Sequence, residues 1–138
     1  MKLELLTHTP HIEALIAVSM LTTTTGDKPS KIFNRLKARP EHVSKILNRL
    51  ETQHGSILEH NRVVWLLEAS EREVLDLLLS SKFFNITELG EGRWLISANV
   101  RTVVELLSLK SGLFCKELAC TLEKISPTLY KGISKGSR

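Results

Sequence analysis

Cysteine is nearly absent from this chain: Cys115 and Cys120 are the two among 138 residues. That rules out a disulfide framework, and a structural zinc site would want closer spacing and two more ligands. Both thiols read as buried core residues of one helix. No apolar run is long enough to span a bilayer, and the N-terminus lacks the basic-then-apolar layout of a signal peptide. A cytoplasmic protein without membrane contact is therefore expected. Aromatics make up 5% of the chain, and few stand among Lys31, Arg35, Lys37 and Arg39, which recur at helical spacing. That pattern favours a solvated helix face over a nucleic-acid patch. Glycine-rich phosphate loops, nucleophile elbows and paired-cysteine zinc patterns are all missing, as are repeats, low-complexity tracts and a domain linker.

What is present fits one domain with a real core. Hydrophobic residues are 42% of the chain and charged residues 25%, a composition of folded proteins rather than disordered ones. The formal net charge of +4 suits an anionic ligand and ordinary solubility equally. Lys2–Thr7 alternates as a strand should, with Leu3 and Leu5 on one face. Pro10 opens a helix carrying Ile12, Leu15, Ile16 and Met20. Pro29 starts a short helix reaching Lys37. Pro40 starts another, through Gln53, with Val43, Ile46, Leu47 and Leu50 on one face and Gly55 ending it. Arg62–Glu68 reads as a strand. Ser70-Glu-Arg-Glu73 has the form of a capping box, and the helix it opens is apolar over so much of its girth that burial is expected. Phe84–Gly92 reads as a turn or loop, Trp94–Ser97 as a strand, and Val100–Leu107 as an amphipathic helix broken at Ser111-Gly112. A last helix, Leu113–Ile125, stops at Pro127. The sum is an α+β single domain over residues 1–130, followed by a basic flexible tail at 131–138.

Two places concentrate chemistry. His54-Gly55-Ser56-Ile57-Leu58-Glu59-His60 lies between a helix end and a strand start, where polar groups can converge on a phosphate, a ribose hydroxyl or a ring nitrogen. The same residues can equally form a polar junction capping two elements. The histidine spacing suits no metal on one helix face, so no metal site is assigned. Asn99 and Arg101 begin a helix after a strand, where free backbone N–H groups add to the pull on an anion. The alternative is that Asn99 merely caps and Arg101 is solvated.

His54-x-Ser-x-x-Glu-His60 followed by strand and helix resembles the flavin-dependent thymidylate synthase family. Trp94-Leu-Ile-Ser-Ala-Asn99-Val-Arg101, then Leu106-Leu107-Ser-Leu-Lys110 and Glu117-Leu118-Ala119, is similar to that family's second signature region, in the right order. The resemblance implies a thymidylate synthase-complementing-protein-like fold, with a short, mostly antiparallel sheet packed with long helices. It implies FAD as cofactor, dUMP and folate as substrates, and a homo-oligomer whose sites are shared between subunits. Position by position, it assigns His54, Ser56, Glu59, Asn99 and Arg101 to the cofactor. Glu88 and Arg93 are candidates for the substrate side, from a segment similar to the family's substrate loop.

The chain also departs from the family. Its Arg-His-Arg signature falls on Ser80-Ser81-Lys82, and its later nucleotide-contacting arginine falls on Lys110. Lysine lacks the bidentate fork that arginine offers a phosphate. A further flavin-side position becomes Glu105. Lys82 and Lys110 are thus the candidates for catalytic or substrate-side cations, and the catalytic residues are otherwise unassigned. Three readings follow: a flavin-dependent methyltransferase making dTMP from dUMP, a catalytically degenerate nucleotide- or flavin-binding module, and a structural subunit of an oligomer.

Overall fold

The computed structural model describes residues 1–22, 24–49 and 55–136. Alternation of apolar and polar residues builds four strands: β1 (Lys2–His8), β2 (Val63–Glu68), β3 (Asn85–Gly90) and β4 (Arg93–Ala98). They form one antiparallel sheet in the order β1-β2-β4-β3. Val63, Trp65 and Leu67 of β2 and Ile96 and Ala98 of β4 are fully buried on one face. Because side chains alternate along a strand, Leu95 points the other way and is exposed. Trp65 sits opposite Ile96 and Leu5 in the register, and its Nε1–H donates to Thr121 Oγ1 at 3.1 Å, tying the sheet to the helical layer. That satisfied indole lets the largest side chain of the core be buried without a polar cost.

Seven α-helices stand among the described residues: α1 (Ile12–Leu21), α2 (Pro29–Lys37), α3 (Pro40–Leu47), α4 (Glu71–Ser80), α5 (Val100–Leu109), α6 (Leu113–Ile125) and α7 (Pro127–Gly136). This is the expected α+β single domain with a wholly antiparallel sheet. No helix of the described residues is long and apolar enough to cross a membrane. The capping box at Ser70 is present, with Ser70 Oγ accepting from the Glu73 amide and the Glu73 carboxylate accepting from the Ser70 amide.

Several expectations need correction. Most of Phe84–Gly92 is a strand, not a loop: β3 pairs with β4 through the turn Gly90-Glu91-Gly92, where all three residues have positive φ. The two glycines accept that conformation freely, so they mark a hairpin rather than an end of structure. Phe84 itself is buried, its ring 6.4 Å from Trp65 and 6.1 Å from Phe114. Helix α4 buries Val74 and Leu77 but leaves Leu75, Leu78 and Leu79 exposed, because it packs along one stripe only. Helix α3 ends at Leu47, with Asn48 as its C-cap and Arg49 in a turn, short of the expected Gln53; the expected positions from Leu50 on lie outside the described residues. Pro127 ends α6 and also opens α7, since proline fits a first helical turn as well as it breaks an interior. The basic segment from Lys131 is therefore helical through Gly136, with Leu129 buried and Ile133 packed against the core. Finally, Cys115 is buried but Cys120 is exposed.

Candidate functional site

Strand polarity decides which polar residues meet. Strand β2 begins, and β4 ends, at the same edge of the sheet, because Val63 pairs with Ala98. The 3₁₀ turn Gly55–Leu58 enters β2 there, and α5 leaves β4 there. Asn61 stitches the two together: its amide donates to Leu58 O at 2.9 Å and its Oδ1 accepts from the Val100 amide at 2.8 Å. Asn99 caps α5, its Oδ1 accepting from Thr102 N at 2.9 Å and from Thr102 Oγ1 at 3.0 Å. The oxygen of Asn99 is therefore committed to the helix, as the capping alternative required.

Arg101 projects from the first turn of α5 onto the turn at Gly55. A Cβ on Gly55 would lie 2.7 Å from Arg101 Nε and 2.8 Å from Cζ, so the glycine makes the seat for the guanidinium. Arg101 Nε donates to Glu105 at 2.9 Å, one turn along the helix, and its NH1 pairs with Glu59. The hydrogen bond that Arg101 donates to Glu105, then the one it donates to Glu59, raises its pKa above the ordinary value. Two carboxylates thus answer one guanidinium. Ser56 is exposed on the same turn, and His54 lies outside the described residues.

A depression of about 320 Å³ adjoins this cluster, lined by the end of α4, the Ser81–Phe83 connection and the outer face of α5 at Glu105, Leu106 and Leu109. Ser80, Ser81 and Lys82 lie on its wall. Lys110, the C-cap of α5, donates its Nζ to Ser80 Oγ, which itself donates to Asp76 O at 2.6 Å. Lys82 Nζ lies 5.3 Å from the Phe83 ring centroid. Lys82, Lys110 and Glu105, distant in sequence, are thereby gathered at one place. Glu105 is the hinge of the arrangement: it pairs with Arg101 on one side and faces the depression on the other. The rim is apolar and open, with Leu79 and Leu109 exposed by 78% and 79%.

Glu88 and Arg93 are not brought to this cluster. They stand near the β3–β4 turn, where Glu88 pairs in register with Trp94 and Arg93 forms an exposed ion pair with Glu91 at 3.0 Å. From Arg93 to Asn99 is six strand residues, roughly 20 Å at about 3.3 Å each. Among the described residues no group of three or more His, Cys, Asp and Glu is arranged to hold a metal. Asn61 was missed by sequence reading; it looks like an ordinary loop residue until its two bonds are seen.

No protein-family model matches the chain, and no curated protein matches its sequence. The fold is shared with a solved structure, a UMP/dUMP methylase, PolB from Streptomyces cacaoi, bound with 5-Br dUMP. The similarity has a TM-score of 0.71 and covers 97% of this chain and 94% of that one, at 12% sequence identity.

Proposed function

We propose that this protein is a divergent relative of the flavin-dependent thymidylate synthases that binds a pyrimidine nucleoside monophosphate, dUMP being the first to test, in the depression between α4 and α5. The observation that carries this reading is that Ser80, Ser81 and Lys82 line one open cavity, with Lys110 bonded to Ser80 in its wall. Two ammonium groups and the Ser81 hydroxyl offer a phosphate several donors, while the leucine-rich rim offers the base an apolar surface. A cavity of about 320 Å³ is at the small end of ligand pockets and suits a mononucleotide. The shared fold with a UMP/dUMP methylase supports the same ligand class.

FAD fits the described residues poorly. Arg101, the guanidinium that would face a pyrophosphate, is already matched by Glu59 and Glu105, and the Asn99 oxygen is spent on capping. No methyl- or hydride-transfer step is therefore routed through flavin or folate, and the degenerate binding module is preferred to the active synthase. A second copy of the chain is the proposed cover for the exposed Leu78, Leu79 and Leu109, which line the open side of the depression.

Calorimetric titration with dUMP tests the reading. Binding that is lost for deoxyuridine and weakened by Lys82→Gln or Lys110→Gln supports a phosphate site. Equal heats for nucleotide and nucleoside would remove it. A flavin spectrum after incubation with FAD, together with tritium release from labelled dUMP, would instead restore the active synthase.

A further inference from the structure

The charge of this protein is unevenly distributed, and the fold makes the imbalance sharper. Residues 28–49, which hold α2 and α3, carry seven Lys/Arg and one carboxylate, Glu41. Helix α7 adds Lys131 and Lys135 with no carboxylate. The remainder of the chain holds ten Lys/Arg against fourteen Asp/Glu, so the net positive charge resides in these three helices alone.

Packing places the three together. Helix α3 contacts both α2 and α7, and Ser44 Oγ lies 3.4 Å from Thr128 Oγ1 across the second contact. Helix α2 buries Ile32 and Leu36, which turns Lys31 and Arg35 outward; α3 buries Val43, Ile46 and Leu47, which turns His42, Lys45 and Arg49 outward at three- and four-residue steps. Lys131 and Lys135 are exposed one turn apart on α7. All three ion pairs among the described residues lie elsewhere, so none of those pairs engages these cations.

We infer that the α2–α3–α7 face is a docking surface for the phosphate backbone of duplex nucleic acid. Charge complementarity selects a polyanion, because nine cations outnumber Glu41 and the Glu13 carboxylate bonded at the start of α7, and they repel one another until counterions or phosphates gather on them. The missing partners select among polyanions. Single strands are held by exposed aromatic platforms, and Phe33, the aromatic of α2, is half-buried with Lys37 Nζ 4.9 Å from its ring. An interfacial membrane helix carries an exposed apolar face, whereas the large exposed hydrophobic residues of the described chain lie outside α2, α3 and α7. A backbone-reading surface of cations, serines and asparagines needs neither. The isolated α2 pattern read as a solvated face; the added cations of α3 and α7 change that weighting.

Fluorescence anisotropy with short mixed-sequence DNA and RNA duplexes tests the inference. Micromolar binding is expected at low salt, little affected by sequence, with a log–log salt slope of roughly −3 to −5 for about four to five phosphates engaged. The double variant Arg35→Glu/Lys45→Glu should weaken binding at least tenfold and flatten the slope by about 2. Lys131→Glu/Lys135→Glu should act in the same direction, and milder Lys45→Gln should do so to a smaller extent. Arg72→Glu, half the double variants' change of charge and placed on exposed α4, should alter affinity less than twofold. Circular dichroism establishes that each variant is folded. The inference is overturned if no duplex binds at low salt, if Arg72→Glu weakens binding as much as Arg35→Glu/Lys45→Glu, or if phosphatidylserine vesicles are bound in preference to either duplex.

Discussion

Phe84 joins the stability of this protein to its candidate site, and truncating it is the sharpest test of the structure. Its ring is 4% exposed and meets Trp65 and Phe114 edge-on or tilted. Removing it loses the buried apolar surface, leaves a cavity and dissolves two aromatic contacts, so Phe84→Ala should cost about 3–5 kcal/mol. For a domain of this size each kcal/mol lowers the melting temperature by about 3–4 °C, giving a fall of roughly 10–20 °C. Phe84→Leu keeps most of the volume and should cost only about 1–2 kcal/mol. Phe84 also anchors the connection that presents Ser81 and Lys82, so dUMP binding should weaken in the alanine variant even well below its melting temperature. Thermal melts and chemical denaturation measure the first effect, calorimetry the second. A melting temperature within a few degrees of the parent for Phe84→Ala would refute the placement of this residue in the core, and the strand reading of β3 with it.

Other outcomes follow from individual contacts. Gly55→Ala should push the Arg101 guanidinium off its seat with little loss of stability, since the clash at 2.7 Å is with the end of a long side chain; an unshifted Arg101 Nε–H resonance would contradict this. Ser70→Ala should cost about 1 kcal/mol in denaturant titrations by removing the N-cap of α4. The Ser70 backbone N–H, and then its hydroxyl, hold the Glu73 carboxyl below the usual carboxylate range. A depressed carboxylate stabilises above its unfolded pKa and loses that contribution as pH falls through the folded value, so the difference between parent and Ser70→Ala should narrow in acid. A widening difference would reverse the sign of the argument. Cys120 should react promptly with a thiol reagent, while Cys115, whose pKa is raised by burial, should react only on unfolding.

The legible parts of the sequence were those where one local rule settles the outcome. Pro29 and Pro40 begin helices because their ring fixes φ at a first turn, and Ser70 with Glu73 caps α4 through atoms three residues apart. Alternation in Lys2–Thr7 and Arg62–Glu68 specified two strands within a residue or so. The misread elements had ambiguous local signals. Two glycines around Glu91 suit a loop and a tight hairpin turn alike, and only the pairing of β3 with β4 chose between them. The leucines of α4 promised burial, yet whether a leucine is buried depends on what packs opposite it.

The candidate site shows the same division. Residue types alone marked Arg101, Lys82 and Lys110 as cations able to meet an anion. The tertiary structure decided their partners: Glu59 comes to Arg101 from 42 residues away, and Ser80 comes to Lys110 from 30 residues away. It also sent Glu88 and Arg93 to the far end of a hairpin. Local chemistry is written in short-range bonds that a sequence displays, whereas charge pairing and cavity walls arise from long-range packing, which strand order and helix contacts alone fix. The sequence by itself determined one α+β domain with a polar cluster before β2 and a cation at the start of α5. Only the assembled sheet determined that the cation is neutralised and that an open depression lies beside it.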